Sequence, residues 1–441
     1  MYFSLRKLAS AGHHRSVARV LGRRYFAAST EEYAKRNYAN NVSEYNTVVS
    51  SITAQRRHFL LRDVYDDMML DGVQPTRDVF RSLIVGTMKG ARLQDGFYFK
   101  DQMGAMGLLP DVNLYNTLIS LCGKCKNSDL AIKILEEMKK SEVKPNAQTF
   151  VCLLNACATA GRLDRVYAIV RDMTAAGVGL NKFCYAGLIT AHKNKTPVAD
   201  DFATKVVEFV DRSKEFLTVD TTSVTAENLM MGVSEEELYN LPTAEYVNRR
   251  GFLNRELVLY HVAFHGCADL RNVEVMETLL EMLKNNGMTP DVFIAMQAMR
   301  CYLHSGDIDH AVKTFEDFIN SGKPPAAELY VTLAEGAMIG YTTKGMQVAQ
   351  DALVQMNSRR FFLSTKMGSD LLLAASGEKT GGYTVANYIW DLMQARKIFP
   401  SLPAVEAYYK GLKEREIPED DPRLLQVSRT YDNLRLRSGR P

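Results

Sequence analysis

No apolar run in this sequence approaches the roughly 20 residues that a membrane-spanning helix needs, so no membrane partner is expected. The seven cysteines are an odd number scattered along 441 residues, and only Cys122 and Cys125 stand at C-x-x-C spacing. One such pair leaves a zinc site two ligands short, and an odd, dispersed set gives no disulfide framework. None of the eight histidines is followed two residues later by Glu, which excludes the H-x-E signature of a zinc deaminase. The stretch SGEKTGGY at residues 376–383 lacks the G-x-x-x-x-G-K-[ST] spacing of a phosphate loop and reads as a turn. No Ser/His/Asp grouping stands out, and Asp200 and Asp201 beside Pro197 read as an exposed helix start rather than a metal site. Neither an enzyme, nor a cofactor, nor a small-molecule substrate is expected.

Acidic residues are missing before Glu31, whereas Arg6, Lys7, Arg15, Arg19, Arg23 and Arg24 lie in residues 1–30. Basic, Ser/Ala-rich and able to wind into an amphipathic helix, that segment reads as a cleavable mitochondrial presequence, which implies a matrix location. A retained basic arm that binds nucleic acid is the alternative. Its removal leaves 48 basic groups against 51 acidic ones, a net charge of −3. Strong non-specific nucleic-acid binders carry an excess of positive charge, so any RNA contact here would come through local patches. What is plentiful is apolar side chain, 46% of the residues, enough for a folded interior.

Those apolar residues recur. Pro75, Pro110 and Pro145 are 35 residues apart, Leu180 stands in the next place, and Pro290, Pro325 and Pro400 end later copies. Met68, Met103, Met138 and Met173 keep the same period, as do Tyr45, Phe80, Tyr115, Phe150 and Tyr185. Gly72, Gly107 and Gly177 form a third column. Within residues 112–146, Tyr115, Leu118, Ile119 and Cys122 follow helical spacing. After a polar turn, Leu130, Ile134, Leu135 and Met138 do so again. A glycine or its substitute stops the second helix, and the proline fixes an extended exit. The unit is a helical hairpin that cannot bury its own stripe, so hairpins must stack. The expectation is an all-α, right-handed α-solenoid with first helices on its concave side.

A 35-residue hairpin with YNTLIS near its start and VKPN at its end resembles the pentatricopeptide repeat family. Residues 42–76, 77–111, 112–146 and 147–181 fit it, and a fifth unit starts at Lys182 and loses register. In the second half, residues 257–291 and 292–326 fit well, and 327–363 and 367–401 fit loosely. The expected organisation is a presequence at 1–30, one array at 31–197, and a second at 257–401. Residues 198–256, with twelve acids against six Lys/Arg, form an acidic insertion suited to a protein contact. Within it, residues 199–216 could form a helix, 217–232 a loop, and Ser234 with Glu237 a capping box. Residues 402–441 form a basic extension in which Arg423, Arg429, Arg435, Arg437 and Arg440 outnumber Asp432 near the end, and such a tail could bind RNA phosphates.

The resemblance implies one RNA base per repeat, read by the fifth and last residues of each unit. Asn46 with Thr76 and Asn116 with Asn146 offer hydrogen-bonding pairs. Arg81 with Asp111 is unusual and Val151 with Asn181 partial, while His261 with Asp291, Met296 with Ala326 and Leu371 with Ser401 are poor readers. Two good pairs that are not adjacent cannot specify a transcript. By resemblance, the expectation is a structural, RNA- and protein-binding part of a plant mitochondrial ribosome, contacting ribosomal RNA in preference to mRNA, together with ribosomal proteins. The alternative is a transcript-specific factor for RNA stability, processing or translation. Cys122, Cys157 and Cys267 share the eleventh place of their units and read as small buried spacers.

Overall fold

The computed structural model describes residues 38–198, 200–213, 255–379 and 381–437. The expected presequence, the loop at 217–232, the Ser234–Glu237 capping box and Arg440 lie outside them. The chain divides into two compact units, residues 1–244 and 245–441. Among the described residues both are built from α-helices without a strand.

In the first unit, first helices begin where the period places them: α1 (Val42–Ala54), α3 (Arg77–Lys89), α5 (Val112–Lys124), α7 (Ala147–Thr159) and α9 (Lys182–Asn194). Their second helices are α2 (Leu61–Leu70), α4 (Leu93–Ala105), α6 (Ser128–Lys140), α8 (Leu163–Ala175) and α10 (Phe202–Arg212). Each first helix packs on the next first helix as well as on its own partner. Gly123 permits the close approach of α5 to α7, since a Cβ there would stand 2.9 Å from the Cα of Ala156.

The sequence columns correspond to one recurring helix stop. The amides of Val73, Leu108, Val143 and Val178 donate to the carbonyls of Met68, Met103, Met138 and Met173. This is the six-to-one bond of a left-handed helix cap, which joins an apolar residue beyond the helix to one in its last turn. The residue between must take positive φ: Gly72, Gly107 and Gly177 do so near +73°, and Glu142 takes the same place at +59°. The four methionines are fully buried. The aromatic column closes the hairpin from the other side: Tyr45 Oη donates to Asp71 and Tyr115 Oη to Ser141, each the residue that ends its second helix. Phe150 departs from its column in being only half-buried.

The second helix of the fifth hairpin starts four residues late. A seven-residue connection, 195–201, precedes α10, whose second-helix counterpart in the fourth unit would place its start at residue 198. Phe202, Val206, Phe209 and Val210 of α10 are buried, and Phe209 packs against Tyr185 and His192 of α9. The helix read into the head of the acidic insertion is therefore the second helix of repeat five. Asp201 is more than an exposed helix start, because its Oδ1 stands 3.2 Å from His192 Nδ1.

The second unit repeats the scheme with first helices α11 (Val258–Leu270), α13 (Val292–His304), α15 (Ala327–Ala337), α17 (Thr365–Ala375) and α19 (Leu402–Glu414). The second helices are α12 (Val273–Asn285), α14 (Ile308–Asn320), α16 (Thr343–Ser358), α18 (Thr384–Ala395) and α20 (Pro422–Arg437). Two expectations shift. The unit counted from Met367 begins two residues earlier, because its first helix starts at Thr365 under a Ser364 cap. Its fifth residue is thus Ser369, whose Oγ accepts from the Ser401 amide at 2.9 Å, whereas Leu371 is core. Residues 402–437 hold a further hairpin, in which α20 packs on α19 through buried Leu424 and Val427.

Candidate nucleic-acid interface

The last residue of a unit is also the N-cap of the next first helix, and the side chains of Asp111, Asn146, Asn181 and Asp291 make that cap. Asp111 Oδ1 accepts from the Leu114 amide at 2.8 Å, and Asp291 Oδ1 from the Ile294 amide at 2.9 Å. Each satisfies a helix-end donor. The second carboxylate oxygen turns to the fifth residue of its own unit: Arg81 Nη2 meets Asp111 Oδ2 at 2.6 Å, and His261 Nε2 meets Asp291 Oδ2 at 2.7 Å. Spacing of thirty residues along the chain thus becomes direct contact. In these two units one nitrogen of the fifth residue and one carboxylate oxygen of the last are already bonded to each other.

The amide pairs differ. Asn146 Oδ1 caps α7 by accepting from the Thr149 amide at 2.9 Å, and Thr149 Oγ1 in turn accepts from the Asn146 amide. Asn116 Nδ2 lies 3.4 Å from the same Asn146 oxygen, a weak bond, while Asn116 Oδ1 is buried with no hydrogen-bond partner among the described residues. Asn46 Oδ1 is in the same state, and Thr76, its pair, is exposed and makes no side-chain cap. A buried acceptor left unmade costs about 1 to 3 kcal/mol. The two fifth-position asparagines therefore each hold a buried acceptor without a partner among the described residues, whereas Arg81 Nη2 and His261 Nε2 are each held by a carboxylate.

A third asparagine shares this state and escaped the fifth-and-last scheme. Asn155 of α7 has both Nδ2 and Oδ1 buried without a partner among the described residues. Its place, four residues after Val151, was the available signal. In the second unit the matching surface closes on itself: Arg300 bonds Asp269 Oδ1 at 2.9 Å and Gln297 Oε1 at 3.3 Å, and His265 stands 3.4 Å from Asp269. Burial, then Arg300 and Arg271, holds the His304 imidazole below its usual pKa and favours its neutral form. Of the basic residues in the last helix, Arg423 is engaged by Asp391 through both terminal nitrogens, at 2.7 and 3.0 Å. Arg429, Arg435 and Arg437 have exposed side chains.

Residues 110–159 match the PPR repeat family and residues 148–178 match the PPR repeat. Over 430 residues the chain is 65% identical to a mitochondrial pentatricopeptide repeat-containing protein of Arabidopsis thaliana, covering 97% of each. The chain belongs to the pentatricopeptide repeat family. A second Arabidopsis pentatricopeptide repeat-containing protein is 39% identical over 87 residues, 20% of each chain. Among solved structures, the pentatricopeptide repeat protein PPR10 of maize in complex with an 18-nt psaJ RNA element is similar at 18% identity and TM-score 0.39, over 92% of this chain and 57% of that one. The PPR domain of Arabidopsis protein-only RNase P 1 in complex with tRNA is similar at 16% identity and TM-score 0.33, over 43% and 96%.

In this pentatricopeptide array the C-x-x-C pair is a packing feature. Cys122, Cys157 and Cys267 are all fully buried at their shared place late in the first helix, and Cys125, half-buried, ends α5. Burial pushes the Cys122 thiol up to about 12, and it raises those of Cys125, Cys152, Cys157, Cys184, Cys267 and Cys301 as well. All stay protonated and weakly nucleophilic near neutrality. Native protein at pH 8 is expected to take up about one equivalent of an alkylating probe, at Cys125, whereas all seven thiols react in denaturant. Fast native labelling of both Cys122 and Cys125 would show a reactive dithiol instead.

Proposed function

We propose that this pentatricopeptide repeat protein acts in the mitochondrion, without catalysing a reaction, as an RNA- and protein-binding structural part of the mitochondrial ribosome. The observation that carries the reading is the unequal state of the fifth-and-last pairs. Asn46 and Asn116 keep open acceptors, while Arg81 Nη2 is bonded to Asp111 and His261 Nε2 to Asp291. Two open positions, at about 1 to 3 kcal/mol of discrimination each, supply about 2 to 6 kcal/mol together, which reaches only the lower part of the roughly 4 to 10 kcal/mol that separates specific from non-specific sites. Such a surface suits a particle in which folded ribosomal RNA and neighbouring proteins supply the remaining contacts. The exposed Arg429, Arg435 and Arg437, with Arg440 beyond the described residues, add phosphate contacts that carry no sequence information.

The Arabidopsis relative is named as mitochondrial, and the basic, acid-free residues 1–30 agree with import by a cleavable presequence. The test is sedimentation of mitochondrial lysate. The protein is expected to run with one ribosomal subunit when magnesium is chelated, and to leave it after RNase treatment. Recovery at the top of the gradient, together with a footprint on one or a few messages, would replace the ribosomal role with transcript-specific binding.

A further inference from the structure

Repeat four lacks a hydrogen-bonding side chain at its fifth position, where Val151 is buried. One helical turn later on the same face of α7, Asn155 is 3% exposed, and neither atom of its amide is bonded among the described residues. The hydroxyls at the equivalent place in the flanking repeats are occupied by their own helices: Ser120 Oγ donates to the Asn116 carbonyl and Thr190 Oγ1 to the Ala186 carbonyl. Asn181, the last residue of repeat four, uses its Oδ1 on the amides of Phe183 and Cys184. Gly187 of α9 leaves the space that the amide fills, since a Cβ there would stand 2.7 Å from Asn155 Oδ1. An apolar side chain of the same volume would occupy that place without breaking a hydrogen bond. Nothing in the fold of the described residues calls for an amide, and an unbonded one is a cost.

Asn116, at the fifth position of the preceding repeat, is 2% exposed and likewise holds an unpaired Oδ1. We infer that Asn155 contacts a base of single-stranded RNA, an amide moved one turn along α7 from the fifth position that Val151 leaves apolar. A side-chain amide offers a donor and an acceptor side by side, which matches a base edge that presents one of each. The inference rests on the RNA-binding reading above, and it makes repeats three and four adjacent readers where the fifth-and-last scheme leaves repeat three isolated.

The experiment selects binders from a random-sequence single-stranded RNA pool with the full chain, its Asn155→Leu variant and its Asn116→Leu variant. Asn155→Leu is expected to melt at or above the temperature of the unsubstituted chain. It should bind the selected RNA about tenfold more weakly, the effect of one well-formed base contact. Base preference should vanish at a single nucleotide, next to the one altered by Asn116→Leu. Asn155→Ala, which adds no bulk beside Gly187, should lose the same preference, so the outcome does not depend on leucine being accommodated. An unchanged nucleotide profile in both Asn155 variants, while the unsubstituted chain selects a motif, overturns the inference alone. Failure of the unsubstituted chain to select any RNA overturns the binding reading and the inference with it.

Discussion

Met138→Ala is expected to lower the stability of the first unit by about 2 to 5 kcal/mol, the range for truncating a fully buried methionine. Met138 is inaccessible to solvent, and its carbonyl receives the Val143 amide at 3.1 Å. Alanine keeps the helix and that backbone bond, so the loss isolates side-chain packing. Because stacked repeats share their cores only with neighbours, the cavity should be felt by the hairpins on either side as well. Urea unfolding followed by far-ultraviolet circular dichroism is the measurement. The midpoint should fall with little change of slope, the signature of a stability change without altered compactness. Met106, half-exposed beyond the end of α4, is the control: its alanine variant should shift the midpoint far less. Equal shifts for the two variants would mean that the repeat register is wrong.

The columns were legible because each is a local physical requirement that recurs. A left-handed helix stop needs one residue with positive φ and an apolar residue on either side of it, so Met138, Glu142 and Val143 repeat with the hairpin. Register failed where a connection changed length. Repeat five hides its second helix behind a longer link at 195–201. The count into residues 367–401 slips because a sixteen-residue α16 lengthens the preceding unit, and because α17 and α18 start 19 residues apart, at Thr365 and Thr384, where α13 and α14 start 16 apart, at Val292 and Ile308. The last helix read as a tail because only Leu424 and Val427 turn inward, too few to show a stripe among its arginines. At the interface, thirty-residue spacing placed Arg81 with Asp111 and His261 with Asp291. Whether an atom in such a pair is spent or open depends on burial and capping, which no single-chain spacing reports. For Asn155 the spacing from Val151 was legible, but not its unbonded state, since both atoms of its amide are buried without a partner among the described residues.

Asp291→Ala is expected to cost the second unit about 2 to 5 kcal/mol, from two losses at one carboxylate. Oδ1 caps α13 through the Ile294 amide at 2.9 Å, and losing such a cap costs about 0.5 to 2 kcal/mol. Oδ2 holds His261 Nε2 at 2.7 Å, and a hydrogen bond to a charged group contributes about 1.5 to 3 kcal/mol. His261 is fully buried with Nδ1 already unpartnered among the described residues, so removing the carboxylate strands the imidazole on both sides. Asp291→Asn keeps an oxygen for the cap and an amide beside the ring, and should recover more than half of the loss. Unfolding is followed through the fluorescence of Trp390, the single tryptophan of the chain, which is buried in the second unit. The same variants discriminate between a closed pair and a reader. If the pair is closed, Asp291→Asn leaves RNA affinity and base preference unchanged while stability moves slightly. A variant that changes base preference at one nucleotide with stability intact would show that His261 and Asp291 face RNA, and that the second unit contributes specificity of its own.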